Sequence, residues 1–469
     1  MMRLIQSESR REATKIRLAK PKTLSSDLSE FKEVSSRFSD RNAIVHDLEP
    51  IYLEASIDDG ILNGKSILIK DNIAVQGWPL SCSSKILDQY ISPYNSTVVT
   101  KILENGGVIV GKTNHDEFAM GSSNERSVFG AVKHPTKTDR VPGGSSGGSA
   151  TAVKLKLADF ALGSDTGGSV RQPAAFCGVY GMKPTYGRVS RYGLVAFASS
   201  FDQIGPFART TEDLARLLQV ISGHDSKDAT SAKKPVADYL NHLDGPITKR
   251  IGIPWKFLKD GVNPEIIYKL KKIESFLKSN GCEICEIELP NAKYAISTYY
   301  VLTNAEASSN LARFDGVRYG LSERSFDLQS MYKDSRSKGF GDEVKRRIML
   351  GTYVLSSGYY DAYFKKAQQV RRLIQDDFIK VFTDVDIILL PTTPTPAFKQ
   401  GKHLKNPLEM YLSDIFTTPI SLAGLPTLNI PAGETSDKLP IGMQLVGNFF
   451  KEETILRLSH YIEHNLNLI

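Results

Sequence analysis

The chain has 469 residues, 41% hydrophobic and 24% charged, with 59 Lys and Arg against 52 Asp and Glu and a net charge of +7. That length can bury a large core, in one big domain or two moderate ones, and the balance is that of an ordinary globular protein. No apolar run approaches the roughly 20 residues of a membrane span, four cysteines are too few for a disulfide scaffold, and the modest positive charge does not by itself argue for nucleic-acid binding, although it can assist a complex that handles RNA.

In chain order, residues 1–24 read as an unstructured basic leader. Arg3, Arg10, Arg11, Lys15, Arg17, Lys20 and Lys22 stand against only Glu8 and Glu12, a composition that fits a mitochondrial presequence or a plain basic start, with no apolar stretch for secretion. Leu28, Phe31, Val34 and Phe38 recur at helical spacing and predict a first helix. Residues 66–75 read as strand, the apolar run from Ser66 ending on Lys70. Val98, Val99, Ile102 and Leu103 mark a helix stopped by Asn105-Gly106-Gly107, and Val108–Val110 is a short buried strand. Alternation continues through 150–156 (helix), 158–162 (strand) and 214–221 (helix). Residues 226–249 read as a surface loop and a helical turn, 250–253 as strand and 264–279 as an amphipathic helix. Residues 295–375 are strongly helical, 385–390, 422–431 and 441–446 are extended, and 451–465 form a closing helix. This order points to an α/β layered architecture.

Three patterns suggest chemistry that their context opposes. Gly106-Gly107-Val108-Ile109-Val110-Gly111-Lys112-Thr113 satisfies the phosphate-loop pattern, yet its strand lies inside the would-be loop and a helix precedes it. Gly143-Gly144-Ser145-Ser146-Gly147 fits the nucleophile elbow of α/β hydrolases, which then wants an acid and a histidine downstream; His460 and His464 read as surface residues of the last helix. Cys282 and Cys285 form a lone CxxC without a second ligand pair, and the alternation over Cys285, Ile287 and Leu289 reads as a half-buried strand. No metal site is expected.

Two glycine- and serine-rich loops, 143–149 and 163–169, sit in apolar, non-repetitive sequence and do not read as tethers. Dense glycines let backbone N–H groups converge on one point, as an oxyanion cradle requires. Two serines and an upstream lysine can perform acyl transfer without histidine. Lys70 alone reads as a surface residue at a strand end. Beside both loops it reads as a base, provided that burial favours its neutral form.

Lys70-Asp71-Asn72, Gly143–Ser149 and Gly163–Ser169 in this order, with separations of 75 from Lys70 to Ser145 and 24 from Ser145 to Ser169, resemble the amidase signature family. The resemblance continues through 170–175 and 181–188 and covers the chain from about residue 60 to its end. It implies an α/β fold with a mixed central β-sheet covered by helices on both faces and a helical insertion. It also implies a leader at 1–24 and a single domain at 25–469, with the triad region at about 60–225 and the insertion at about 295–375. The implied chemistry is an acyl-enzyme mechanism, with Ser169 as nucleophile, Ser145 in a cis peptide after Gly144 as proton relay, Lys70 as base, and the amides of Thr166, Gly167 and Gly168 as oxyanion hole.

Residues 306–316, 335–341, 343–348, 356–363 and 413–419 narrow the resemblance to one branch of that family, the glutamine-hydrolysing subunits of tRNA-dependent amidotransferases. By position in those motifs, Arg347 takes the glutamine α-carboxylate, Asp414 the α-ammonium, and Tyr299 lines the pocket; Arg346 against Arg347 and Tyr299 against Tyr300 stay open. The branch further implies a transamidase partner that uses ATP and magnesium, neither being a cofactor of this chain, and Glu-tRNA(Gln) held through the complex. A small third subunit is left open by the short segment ahead of Ile67. The implied compartment is the mitochondrial matrix, or the cytoplasm for a bacterial protein. A stand-alone amidase of the same family is the alternative function.

Overall fold

A computed structural model describes residues 24–46, 48–52, 60–259, 261–325, 327–404 and 406–467; all but the last residue of the 1–24 leader lies outside the described residues. Among the described residues, eleven strands form one sheet: β1 (Ile44–Val45), β2 (Ser66–Lys70), β3 (Val108–Thr113), β4 (Phe160–Asp165), β5 (Tyr180–Lys183), β6 (Gln203–Ala208), β7 (Arg250–Ile253), β8 (Glu283–Glu286), β9 (Ile387–Pro391), β10 (Thr427–Glu434) and β11 (Pro440–Gly447). Their order is β1-β3-β2-β4-β6-β5-β10-β11-β9-β7-β8. Parallel ladders join β3, β2 and β4 near one end and β9, β7 and β8 at the other. Antiparallel ladders run through β4, β6, β5, β10, β11 and β9 between them. The sheet is therefore mixed, as expected. Both outermost strands are short: β1 has two residues, and β8 carries an exposed glutamate at each end with half-buried Ile284 and Cys285 between.

Side chains alternate between the faces of a strand. Along β2, Ile67 and Ile69 join the larger apolar core, whereas Leu68 joins a second core containing Ala150, Ala152, Val153, Ala161 and Phe207. Lys70 lies two residues beyond Leu68, so it is directed to the second face, where the helix Gly147–Lys154 packs on β4. On the other face, the helices Thr97–Glu104 and Thr211–Ile221 bury apolar residues in the larger core. Helices thus cover both faces.

Several elements differ from their sequence reading. β2 stops at Lys70 rather than running to residue 75, because the Ile73 amide turns back to donate to Lys70 O at 3.0 Å. The extended reading of 422–431 fails at its start. Leu422 and Ala423 close the helix Thr418–Ala423, which Gly424 caps at φ 79°, and the strand begins only at Thr427. β5, β6 and the helix Arg171–Cys177 have no counterpart in the sequence reading. Gly181 interrupts the apolar pattern of β5, Gly205 and Pro206 that of β6, and Pro173 sits in the first turn of the helix. The 295–375 region resolves into the helices Ala295–Asn310, Leu328–Gly339, Asp342–Leu355 and Lys366–Val381, with a loop after Arg313 and a π-helical stretch at Tyr360–Lys365. The 226–249 loop buries Tyr239 and Leu243.

Candidate active site

The end of β2 places Lys70 in the interior, fully buried. Its Nζ donates to Ser145 Oγ at 2.7 Å, to Ser146 Oγ at 2.9 Å and to Ser164 Oγ at 2.9 Å. Desolvation brings its pKa down to about 7 against the opposing attraction of Asp116, Asp165 and Asp202. The Gly144–Ser145 peptide is cis. Gln172 Oε1 accepts from Gly144 N at 2.8 Å, and Ser145 O accepts from Asp116 N at 3.2 Å. The two serine loops meet where Ser146 N donates to Ser169 O at 3.1 Å. A lysine that gives up its ammonium proton near neutral pH, held against a serine hydroxyl, can in its neutral form accept a proton relayed from a second serine.

Thr166, Gly167 and Gly168 form the turn between β4 and Ser169, and their amides donate to no described residue. The turn is braced on both sides. Thr166 Oγ1 donates to Asp202 Oδ1 at 2.7 Å, and Gly167 O accepts from Thr417 Oγ1 at 2.6 Å. Space and φ both demand glycine at 168, where φ is +147° and a Cβ would stand 2.4 Å from Thr417 Oγ1. Beneath the turn, Asp165 and Arg171 form a fully buried bidentate pair at 3.0 Å, and Arg171 also donates to Thr417 O at 2.9 Å and Ser421 Oγ at 2.7 Å.

Arg347, Asp414, Tyr299 and Tyr300 gather close by. The Arg347 side chain is 5% exposed against 41% for Arg346, so Arg347 is the inward member of the pair. Both tyrosines lie in this cluster. A Cβ on Gly167 would stand 2.7 Å from the Tyr299 hydroxyl, while Tyr300 stacks on Tyr411 at 3.7 Å and lies 5.3 Å from the Arg347 guanidinium carbon. Asp414 is buried, takes a hydrogen bond from Ser122 Oγ, and leaves Oδ1 without a hydrogen-bond partner. Burial lifts its pKa to about 7.

The family model described as Amidase matches residues 51–456, well over half of the chain. The chain belongs to the amidase family. Its relatives include the glutamyl-tRNA(Gln) amidotransferase A subunit of Coxiella burnetii, 51% identical over 96% of this chain and 92% of that one. The protein of the same name from Persephonella marina is 57% identical over 85% and 82%. Among solved structures, the protein of that name from Thermotoga maritima superposes with a TM-score of 0.79 at 42% identity, covering 93% of this chain and 91% of that one.

Within this amidase fold the distracting motifs lose their other meanings. Lys112 of the phosphate-loop pattern is fully buried in β3, 3.5 Å from Asp71 Oδ1. Cys282 and Cys285 are free, Cys282 before β8 and Cys285 within it. His460 and Glu463 are partly buried and His464 exposed, and together they bring ligand atoms within 4.8 Å of one another, but Glu463 already accepts from Thr211 N at 2.9 Å. Sequence reasoning missed Ser146 and Ser164, although both lie inside the two quoted loops. It also missed Ser122, Asp202, Glu343, Tyr411 and Thr417, of which Glu343 and Thr417 lie inside the quoted segments 343–348 and 413–419, Glu343 one helical turn ahead of Arg347.

Proposed function

We propose that this chain is the glutaminase subunit of a glutamyl-tRNA(Gln) amidotransferase. It hydrolyses glutamine and supplies the ammonia with which a transamidase partner converts Glu-tRNA(Gln) to Gln-tRNA(Gln). The observation that carries this reading is the buried pair of opposite charges beside the serine loops, Arg347 and the half-satisfied Asp414. A free α-amino acid presents a carboxylate and an ammonium that need such partners, whereas an uncharged amide uses neither. The names of relatives 51% and 57% identical support the same reading.

In this scheme Ser169 Oγ attacks the γ-carboxamide carbon. Its proton passes to Ser145 Oγ, whose own proton passes to neutral Lys70. The amides of Thr166, Gly167 and Gly168 receive the oxyanion. Collapse expels ammonia, which takes the proton back through Ser145 and leaves a γ-glutamyl ester on Ser169; water activated by the same relay then releases glutamate. ATP and magnesium are assigned to the partner, which also holds the tRNA. The mitochondrial matrix is proposed as the compartment on the leader's composition alone. The bacterial relatives favour a second reading, a bacterial cytoplasm, and a fluorescent fusion of residues 1–24 separates the two by its import or its failure to import.

Glutamine hydrolysis by the purified chain, alone and with a transamidase partner and Glu-tRNA, tests the activity in wild type and Ser169→Ala. The expected result is slow or absent turnover alone, stimulation in the complex, and loss in the variant. Robust hydrolysis of fatty amides with indifference to glutamine replaces the reading with a stand-alone amidase.

A further inference from the structure

Arg347 lies on the helix Asp342–Leu355, one turn after Glu343. Glu343 is buried, and its two carboxylate oxygens face different ways. Oε1 accepts from Arg347 Nε at 3.0 Å and from the Tyr411 hydroxyl at 3.4 Å. Oε2 accepts from Arg126 Nη1 at 2.9 Å and from Arg346 Nη1, two arginines that, with Glu343 itself, line a cavity of about 450 Å³. The carboxylate therefore has little freedom to rotate. No described residue accepts from the two terminal nitrogens of Arg347.

We propose that Glu343 is a positioning residue for substrate selection: it takes the Nε edge of Arg347 and leaves the end-on pair of Nη donors as the only fork open to a substrate carboxylate. A guanidinium offers two bidentate edges, side-on through Nε and end-on through the Nη pair. Occupying one edge fixes the direction of approach, and Tyr300 and Tyr411 against the guanidinium limit its swing. Arg347 itself, helped by Arg126 and Arg346 on the other carboxylate oxygen, keeps Glu343 ionised despite burial. This inference rests on the glutamine reading above and deepens it, since it assigns discrimination for the α-carboxylate to a residue that never touches the substrate.

The test compares L-glutamine with 4-aminobutanamide, which keeps the amide and the ammonium but lacks the carboxylate, following ammonia release by the enzyme assembled with its partner. In Glu343→Gln, the KM for glutamine is expected to rise at least about tenfold with kcat changed by less than about threefold, while kcat/KM for 4-aminobutanamide stays at the wild-type value. That unchanged value also certifies the fold of the variant. Glu343→Asp, which keeps the charge on a shorter stem, is expected to fall between wild type and Glu343→Gln. An unchanged glutamine KM, equal losses on both substrates, or an Asp variant no better than Gln overturns the proposal. Wild-type enzyme that does not prefer glutamine to 4-aminobutanamide overturns the glutamine reading itself, and is recognised before any variant is made.

Discussion

In the proposed relay, Lys70 is the residue through which pH reaches the chemistry. Its ammonium is lowered to about 7, and only the neutral amine, present above that value, can take a proton. Asp414 shifts in the opposite direction but is needed in the same, deprotonated form: it must be ionised to hold an ammonium, and its carboxyl is raised to about 7. Acidification therefore removes the competent form of both groups. kcat/KM for glutamine is expected to hold above about pH 8 and to fall more steeply than about tenfold per unit below about pH 6, read from a pH–rate profile in the assembled enzyme; a flat profile across that range refutes the lysine as base. Lys70→Met should lower kcat by about 10²–10⁴-fold, with the KM for glutamine little changed. At Arg171 the consequence is for stability. Arg171→Met leaves Asp165 charged and unpaired in the interior and should cost about 3–5 kcal/mol, measured by denaturant unfolding. Asp165→Asn in the same chain should recover part of that loss.

At the scale of elements, the short segment 413–418 does two jobs. It carries the buried Asp414, and three residues later Thr417 braces the turn at 166–168, the proposed oxyanion hole, through its bond to Gly167 O at 2.6 Å. Thr417→Val keeps the shape and deletes the donor. We expect kcat to fall about ten- to a hundredfold through misplacement of the turn, with KM within about twofold, measured by steady-state kinetics. Legibility in the sequence followed the same division. Ser145 and Ser169 stood out because they sit in dense glycine- and serine-rich loops of a composition that ordinary packing rarely calls for, and Lys70, which alone reads as a surface residue, gained meaning only beside them. Thr417 and Ser122 could not, because a lone hydroxyl in a loop gains meaning only when folding brings Gly167 or Asp414 against it. The long helices and β7 were visible by their periodicity. β5 and β6 were not, since burial on both faces and their Gly and Pro residues erase the alternation that marks a half-exposed strand.

At the scale of the molecule, the one sheet is what brings the site together. β2 delivers Lys70, and β4, its neighbour, delivers Ser164 and the turn to Ser169. The helix Gly147–Lys154, packed on β4, carries the Ser145 loop at its start. Tyr299, Tyr300, Arg347 and Asp414, the proposed glutamine contacts, arrive from the helices Ala295–Asn310 and Asp342–Leu355 and from the segment before Thr418–Ala423. A sheet left open in this way has two rims, and each rim exposes amide and carbonyl groups that another chain could extend. The β1 rim offers almost nothing to copy, being two residues long. The β8 rim is defended by charge instead, because stacking a second copy beside it would set Glu283 and Glu286 against their own kind. Replacing both with threonine removes that repulsion and should increase self-association as concentration rises, visible by light scattering against the wild type, while glutamine turnover per chain is unchanged. Two glutamates far along the sheet from Lys70 and the serine loops are thus expected to keep this edge from pairing with a second copy of the chain.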